Sequence, residues 1–214
     1  MSGVVKRGYR SDLRAQQARQ TQRRVIAAAA RLFVERGFAA TTVDAVADAA
    51  GVSRKTVFTA AGGKPELLKT ALDWAVAGDD EPRALIEREA VRQLLEHTEP
   101  EALLAGWVRL VVDIDVRVGP LVRVLEVAAD TDAQAAELVE QMCGQRLAGA
   151  RTVVRRLAEL DALRPGLNRR EAVDITWLAT DAVLYDRLVG ARGWSRSRFE
   201  NWLAAALRIQ LLGP

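Results

Sequence analysis

Arg54, Lys55, Thr56 and Thr59 fall within a short polar stretch that follows Gly51, Val52 and Ser53 directly. An arginine can donate two parallel hydrogen bonds to guanine O6 and N7, a pairing that discriminates by ~1–3 kcal/mol. A lysine can serve a base edge or a phosphate, and a threonine a thymine methyl or a phosphate. The stretch reads as a short helix over 54–60 with Ser53 as its N-cap. A second short helix precedes it, capped by Thr41 or Thr42, with Val43, Val46 and Ala47 turned inward. Gly51 supplies the turn between them. Two helices crossing steeply over a glycine turn place the second in a DNA major groove, so residues of about 42–61 are expected to form a helix-turn-helix. Thr42, at a helix N-terminus, is placed for a phosphate.

Other segments must hold this pair in position. Residues 1–15 carry Lys6, Arg7, Arg10 and Arg14 with little apolar content and are expected to form a mobile basic arm. A first helix is expected over 16–36, because Val25, Ile26, Ala29, Leu32 and Phe33 recur at three- and four-residue spacing before Gly37. Gly62 and Gly63 end the third helix, and Lys64 and Pro65 open a fourth. The stretch 78–82 is the sharpest break and divides the chain into residues 1–78 and 79–214. Beyond it, helices are expected over 82–96, 100–117, 120–129, 133–162, 169–191 and 196–212. With few aromatic residues and no alternating β-branched runs, the chain is expected to be all-α, with about nine to ten helices.

Charge is unevenly spread. Residues 1–78 hold 13 Lys/Arg against 6 Asp/Glu, while the remainder holds 18 against 22. A basic first third on a mildly acidic remainder points to a polyanion partner for that third alone. No apolar run approaches the length of a membrane span, and the N-terminus has no apolar secretion core, so a cytoplasmic setting is expected. The single Cys143 allows no internal disulfide and reads as a small buried hydrophobe. His97 has no partner set for catalysis or metal binding. No nucleophile–base pair, metal-ligand cluster or phosphate-cradling loop stands out, so no catalytic residue, metal or cofactor is expected.

Taken in one register, these residues resemble the DNA-binding domain of the TetR family of transcriptional regulators. The resemblance is carried by Ala28 to Phe33, Gly37 and Phe38, Thr41, Thr42 and Val43, Ala47, then Ala50 through Ser53, Thr56, Val57 and Phe58. It closes with Lys64, Glu66, Leu67 and Leu68 and covers about 50 residues. It implies that Arg54, Lys55 and Thr56 meet the major groove and that Lys64 meets a phosphate. Thr41, Ser53, Phe58 and Thr59 belong to the same implied surface. The chain departs from the family at Phe58, Thr59, Ala60 and Ala61, where relatives commonly carry Tyr-x-His-Phe, so phosphate contacts must come from elsewhere.

The resemblance further implies a homodimer through the last two helices, and both helices are apolar on more than one face. It implies a double-stranded operator with two-fold symmetry and a small-molecule effector bound among the C-terminal helices. Polar residues set in apolar helices are the candidate pocket: Asp113, Asp115 and Asp181, with Trp107, Met142, Arg146, Trp177 and Tyr185 as lining. The expected role is a repressor released by its effector. An activator, an effector-independent regulator and, from another class, an all-α enzyme are the competing readings.

Overall fold

The computed structural model describes residues 4–213, with side chains from residue 13 onward. Among these residues there are ten α-helices and no strand. The first, α1 (Val4–Ala40), starts where an arm was expected; residues 4–15 contain no proline to stop it. The side chains of Arg7 and Arg10 lie outside the described residues; Arg14 is exposed. The regular turns end at Gly37, whose φ of 79° lies in the left-handed region.

Three short helices follow: α2 (Val43–Ala50), α3 (Arg54–Ala61) and α4 (Lys64–Ala77). Each start has a local reason. The Thr42 hydroxyl accepts from the Ala45 amide at 3.1 Å, and the Ser53 hydroxyl from the Thr56 amide at 3.1 Å. At α4, Pro65 occupies the first turn and the Glu66 carboxylate accepts from the Gly63 amide at 2.9 Å. Gly51 takes a φ of 64° between α2 and α3, a conformation that costs a side-chain-bearing residue about 1 kcal/mol. Val25, Phe33, Val46, Val57, Leu67 and Leu68 are fully buried where α1 to α4 converge. Leu121, Leu125 and Leu138 from later helices complete the same core, so it runs on past residue 78.

After a single turn of 3₁₀ helix at Leu85–Glu87 come α5 (Glu89–Leu95), α6 (Pro100–Ala129) and α7 (Ala133–Glu159). The helix expected over 82–96 is therefore shorter. The two helices expected over 100–117 and 120–129 are one, with Pro120 inside it. A proline there costs ~3 kcal/mol, which the burial of Val118, Leu121 and Leu125 around it offsets.

The opposite correction applies to 169–191. It divides into α8 (Arg169–Ala179), α9 (Ala182–Tyr185) and a wider π turn at Asp186–Ala191. The cause is local competition for the backbone: Thr180 donates its hydroxyl to the Trp177 carbonyl, and Asp181 caps the Val183 amide. The last helix is α10 (Arg196–Leu211), capped by Ser195. Phe199, Leu203 and Leu207 of α10 pack with Leu103, Val108, Val153 and Leu157 in a second core. No described helix is long and apolar enough to cross a membrane.

The two cores meet at the end of α4. Arg117 of α6 donates from Nε to the Ala75 carbonyl at 2.7 Å and from Nη2 to the Val76 carbonyl at 3.0 Å. These are carbonyls that the last turn of a helix leaves without partners. Just beyond, Asp80 accepts from Arg23 at 2.6 and 2.7 Å and from Arg19 at 3.1 Å. Hydrogen bonding from Arg23, then Arg19, holds the Asp80 carboxyl down at about 2.

Thr41 does not cap α2 and does not face outward. It is 1% exposed, and its hydroxyl lies 2.8 Å from the Gly37 carbonyl and 3.1 Å from that of Leu32. Thr41→Val keeps the shape and removes this donor. It is expected to cost about 1–3 kcal/mol of stability, measured by denaturant unfolding, because the half-buried Gly37 carbonyl and the buried Leu32 carbonyl lose this donor.

Candidate nucleic-acid interface

The candidate surface is built on α3. Val57, fully buried, anchors the helix to α1 and fixes which side faces out. Arg54, Lys55, Phe58 and Thr59 are exposed, and Thr56 is half-buried. Arg54 pairs with Asp44 of α2 at 2.7 Å, with both side chains more than half exposed. Such a surface pair is worth only ~0–1 kcal/mol, so exchanging it for a base edge costs little. The Arg54 guanidinium also lies 5.6 Å from the centre of the Phe58 ring. The Ser53 and Thr56 hydroxyls are 2.8 Å apart, and Thr59 returns its hydroxyl to the Lys55 carbonyl at 2.9 Å.

Lys64 is placed differently from the expectation. It is half-buried, donates to the Phe38 carbonyl at 3.0 Å, and stands 4.2 Å from the centre of the Phe38 ring. Its ammonium closes the corner after Gly37, where α1 has left carbonyls free. A phosphate contact requires that bond to be exchanged.

The expected pocket residues do not converge on one place. Asp113 pairs with Arg196 at the surface, both side chains about half exposed. Met142 packs against the first core, beside Leu72 and Leu138. Arg146, Trp177 and Asp181 do meet. The Arg146 Nη2 lies 3.1 Å from the Asp181 carboxylate, and its guanidinium lies 5.2 Å from the centre of the Trp177 ring. Trp107 is buried against Gly149, while Tyr185 sets its ring edge-on to Phe199 at 5.2 Å. A groove of about 400 Å³ lies elsewhere, between Leu95, Thr152 and Arg156.

Asp115 is the residue of this region that the structure singles out. It is 3% exposed, and its Oδ2 has no hydrogen-bond partner among the described residues. Desolvation pushes its carboxyl up to about 7, against a lowering by Arg146 and a further rise from Asp181. The folded chain holds this proton up to about pH 7 and the unfolded chain only to about pH 4. Stability from this group therefore falls as pH rises between those values and is flat above them. The size is of order 4 kcal/mol at ~1.4 kcal/mol per unit. Asp115→Asn is expected to abolish this slope, so that variant and parent differ by several kcal/mol more at pH 8 than at pH 4 in denaturant titrations.

Against known proteins, residues 25–71 match the family model described as bacterial regulatory proteins, tetR family. No curated protein sequence matches the chain. Among solved structures, a TetR-family transcriptional regulator of Mesorhizobium loti is similar at 20% identity and a TM-score of 0.62, over 90% of this chain and 96% of that one. NalD of Pseudomonas aeruginosa, the secondary repressor of the MexAB-OprM multidrug efflux pump, gives 19% and 0.66 over 91% and 98%. FadR of Bacillus subtilis, solved with stearoyl-CoA, gives 16% and 0.68 over 89% and 98%. The match runs from the middle of α1 into α4 and so contains the whole helix-turn-helix. Residues 25–71 thus match the TetR-type DNA-binding segment, and the chain as a whole shares the fold of the TetR-family regulators it is similar to.

Proposed function

We propose that this regulator is a homodimeric repressor that binds a two-fold symmetric operator and is released by a small-molecule effector. The observation that carries the DNA reading is the outward presentation of Arg54 and Lys55 at the N-terminal end of α3, with Val57 locked beneath them. Thr42, exposed at the N-terminus of α2, is suited to a phosphate, and Phe58, 46% exposed, to a thymine methyl.

The dimer reading is supported by apolar side chains left bare on the last helices. Leu178 of α8 is 60% exposed and Ile209 of α10 55%, with Trp202 of α10 also exposed. Pairing two subunits through these helices sets two copies of α3 about 34 Å apart, or somewhat more, to fit successive major grooves. The repressor and effector readings draw on the neighbours: NalD is a repressor, and FadR is solved with a ligand. Release then works as a population shift, in which the effector favours a conformer whose α3 helices no longer match the operator spacing.

Anisotropy titrations on duplex DNA from the chain's own promoter region test this. Arg54→Ala is expected to weaken specific binding roughly 5- to 150-fold per half-site, and raised salt to weaken all binding. Unaltered affinity in Arg54→Ala removes α3 from the interface. Leu178→Glu with Ile209→Glu is expected to convert a dimer to a monomer in sedimentation, with loss of operator binding. A parent chain that is already monomeric while bound to its operator refutes the dimer.

A further inference from the structure

Within residues 42–61, the unit that α2 and α3 form, Asp44 and Asp48 stand against Arg54 and Lys55, so the unit carries no net charge. A carboxylate on a surface that meets a polyanion opposes binding, and its presence there calls for another reason. Asp44 is the more telling of the two. It lies in the first turn of α2, its side chain 62% exposed, and its Oδ2 accepts from Nη1 of Arg54 at 2.7 Å. A first-turn acid also suits the dipole of α2, but that role asks nothing of Arg54.

The geometry of the guanidinium supplies the reason. Of its nitrogens, Asp44 engages Nη1 alone. The side formed by Nε and Nη2 meets no acceptor among the described residues. It is a fork of two parallel donors, the arrangement that matches the O6 and N7 of guanine. The Phe58 ring, one turn along α3, borders the same group, its centre 5.6 Å away. Arg54 is thus tethered at one nitrogen with its fork open. A phosphate competes with Asp44 for the guanidinium, anion against anion. A guanine edge takes the open fork and leaves the tether in place.

Building on the DNA reading above, we infer that Asp44 is the positioning residue for Arg54 and sets specificity: it presents the guanidinium to a guanine edge and withholds it from phosphates. Asp44 itself touches no base. It lowers affinity for any duplex, and lowers it least for one with a guanine opposite Arg54. The gain lies in the ratio of the two affinities, which is what a protein searching among many wrong sites requires.

Four full-length proteins test this by anisotropy, each on two duplexes: one from the chain's own promoter region, and one of scrambled sequence with the same length and composition. They are the parent, Asp44→Ala, Arg54→Ala and the double variant. Both side chains are more than half exposed, so circular dichroism is expected to show the fold unchanged in all four. Asp44→Ala is expected to tighten binding to the scrambled duplex and to lower the promoter-to-scrambled affinity ratio by about 2- to 5-fold per half-site, the range a surface ion pair can supply. In the Arg54→Ala background the same substitution is expected to leave the ratio as it was. An undiminished ratio in Asp44→Ala overturns the inference. So does an equal fall with Arg54 absent, which makes Asp44 a support of α2 and nothing more. The Arg54→Ala protein separates the two proposals. If it binds the promoter duplex more weakly than the parent while Asp44→Ala keeps the parent's ratio, the DNA reading stands and the inference falls. If it binds the promoter duplex as the parent does, both fall.

Discussion

The end of α4 is the constraint on which the rest depends. Its last carbonyls have no partners within the helix, and Arg117, reaching from the middle of α6, supplies two of them. Both partners are backbone atoms, so the contact follows the helix itself and not a side chain that can swing aside. Leu121 and Leu125, one and two turns further along α6, enter the same core as Leu67 and Leu68 of α4. The helix that bears the DNA-facing unit and the helix that crosses the C-terminal bundle are therefore joined by a polar contact and a continuous apolar one. Arg19 and Arg23 of α1, closing on Asp80, secure the third side.

Asp115 and Arg117 stand two residues apart on α6, about 200° around a helix. One looks into the charged cluster of α7, α8 and α9, and the other onto α4. α6 thus carries a buried carboxylate on one face and, on the other, the arginine that grips the end of α4. Pro120 lies directly beyond this pair. It removes one backbone bond from α6 and gives the helix a natural point of adjustment.

What was legible in the sequence was what local chemistry decides. Thr42, Gly51, Ser53 and Pro65 act on neighbours within four residues, so α2, α3 and the start of α4 could be read directly. Thr41, Lys64 and Asp113 could not, since their partners Leu32, Phe38 and Arg196 lie 9, 26 and 83 residues away. Similar logic explains the long helices. Pro120 looks like a terminator from its neighbours, yet packing around Val118 and Leu121 overrides it, while the break at Thr180 comes from two small polar side chains within an apolar pattern. Of the residues expected to line a pocket, Arg146, Trp177 and Asp181 lie together, brought there from α7, α8 and the start of α9. The burial that distinguishes Asp115 from Asp113 depends on how α6 is rotated, which spacing alone did not resolve.

The basic character of the first third also means less for a polyanion than its composition suggests. Arg19 and Arg23 are bound to Asp80, Arg31 to Glu35, Lys69 to Asp73, and Lys64 to the Phe38 carbonyl. Those charges stabilise the joint and the helices before any ligand arrives. What α3 presents is Arg54, held by an exchangeable surface pair, and Lys55, with Phe58 beside them where a tyrosine hydroxyl is usual in relatives. Their exposure at one end of α3, with Val57 buried beneath, sets this face apart from the paired cations of α1 and α4.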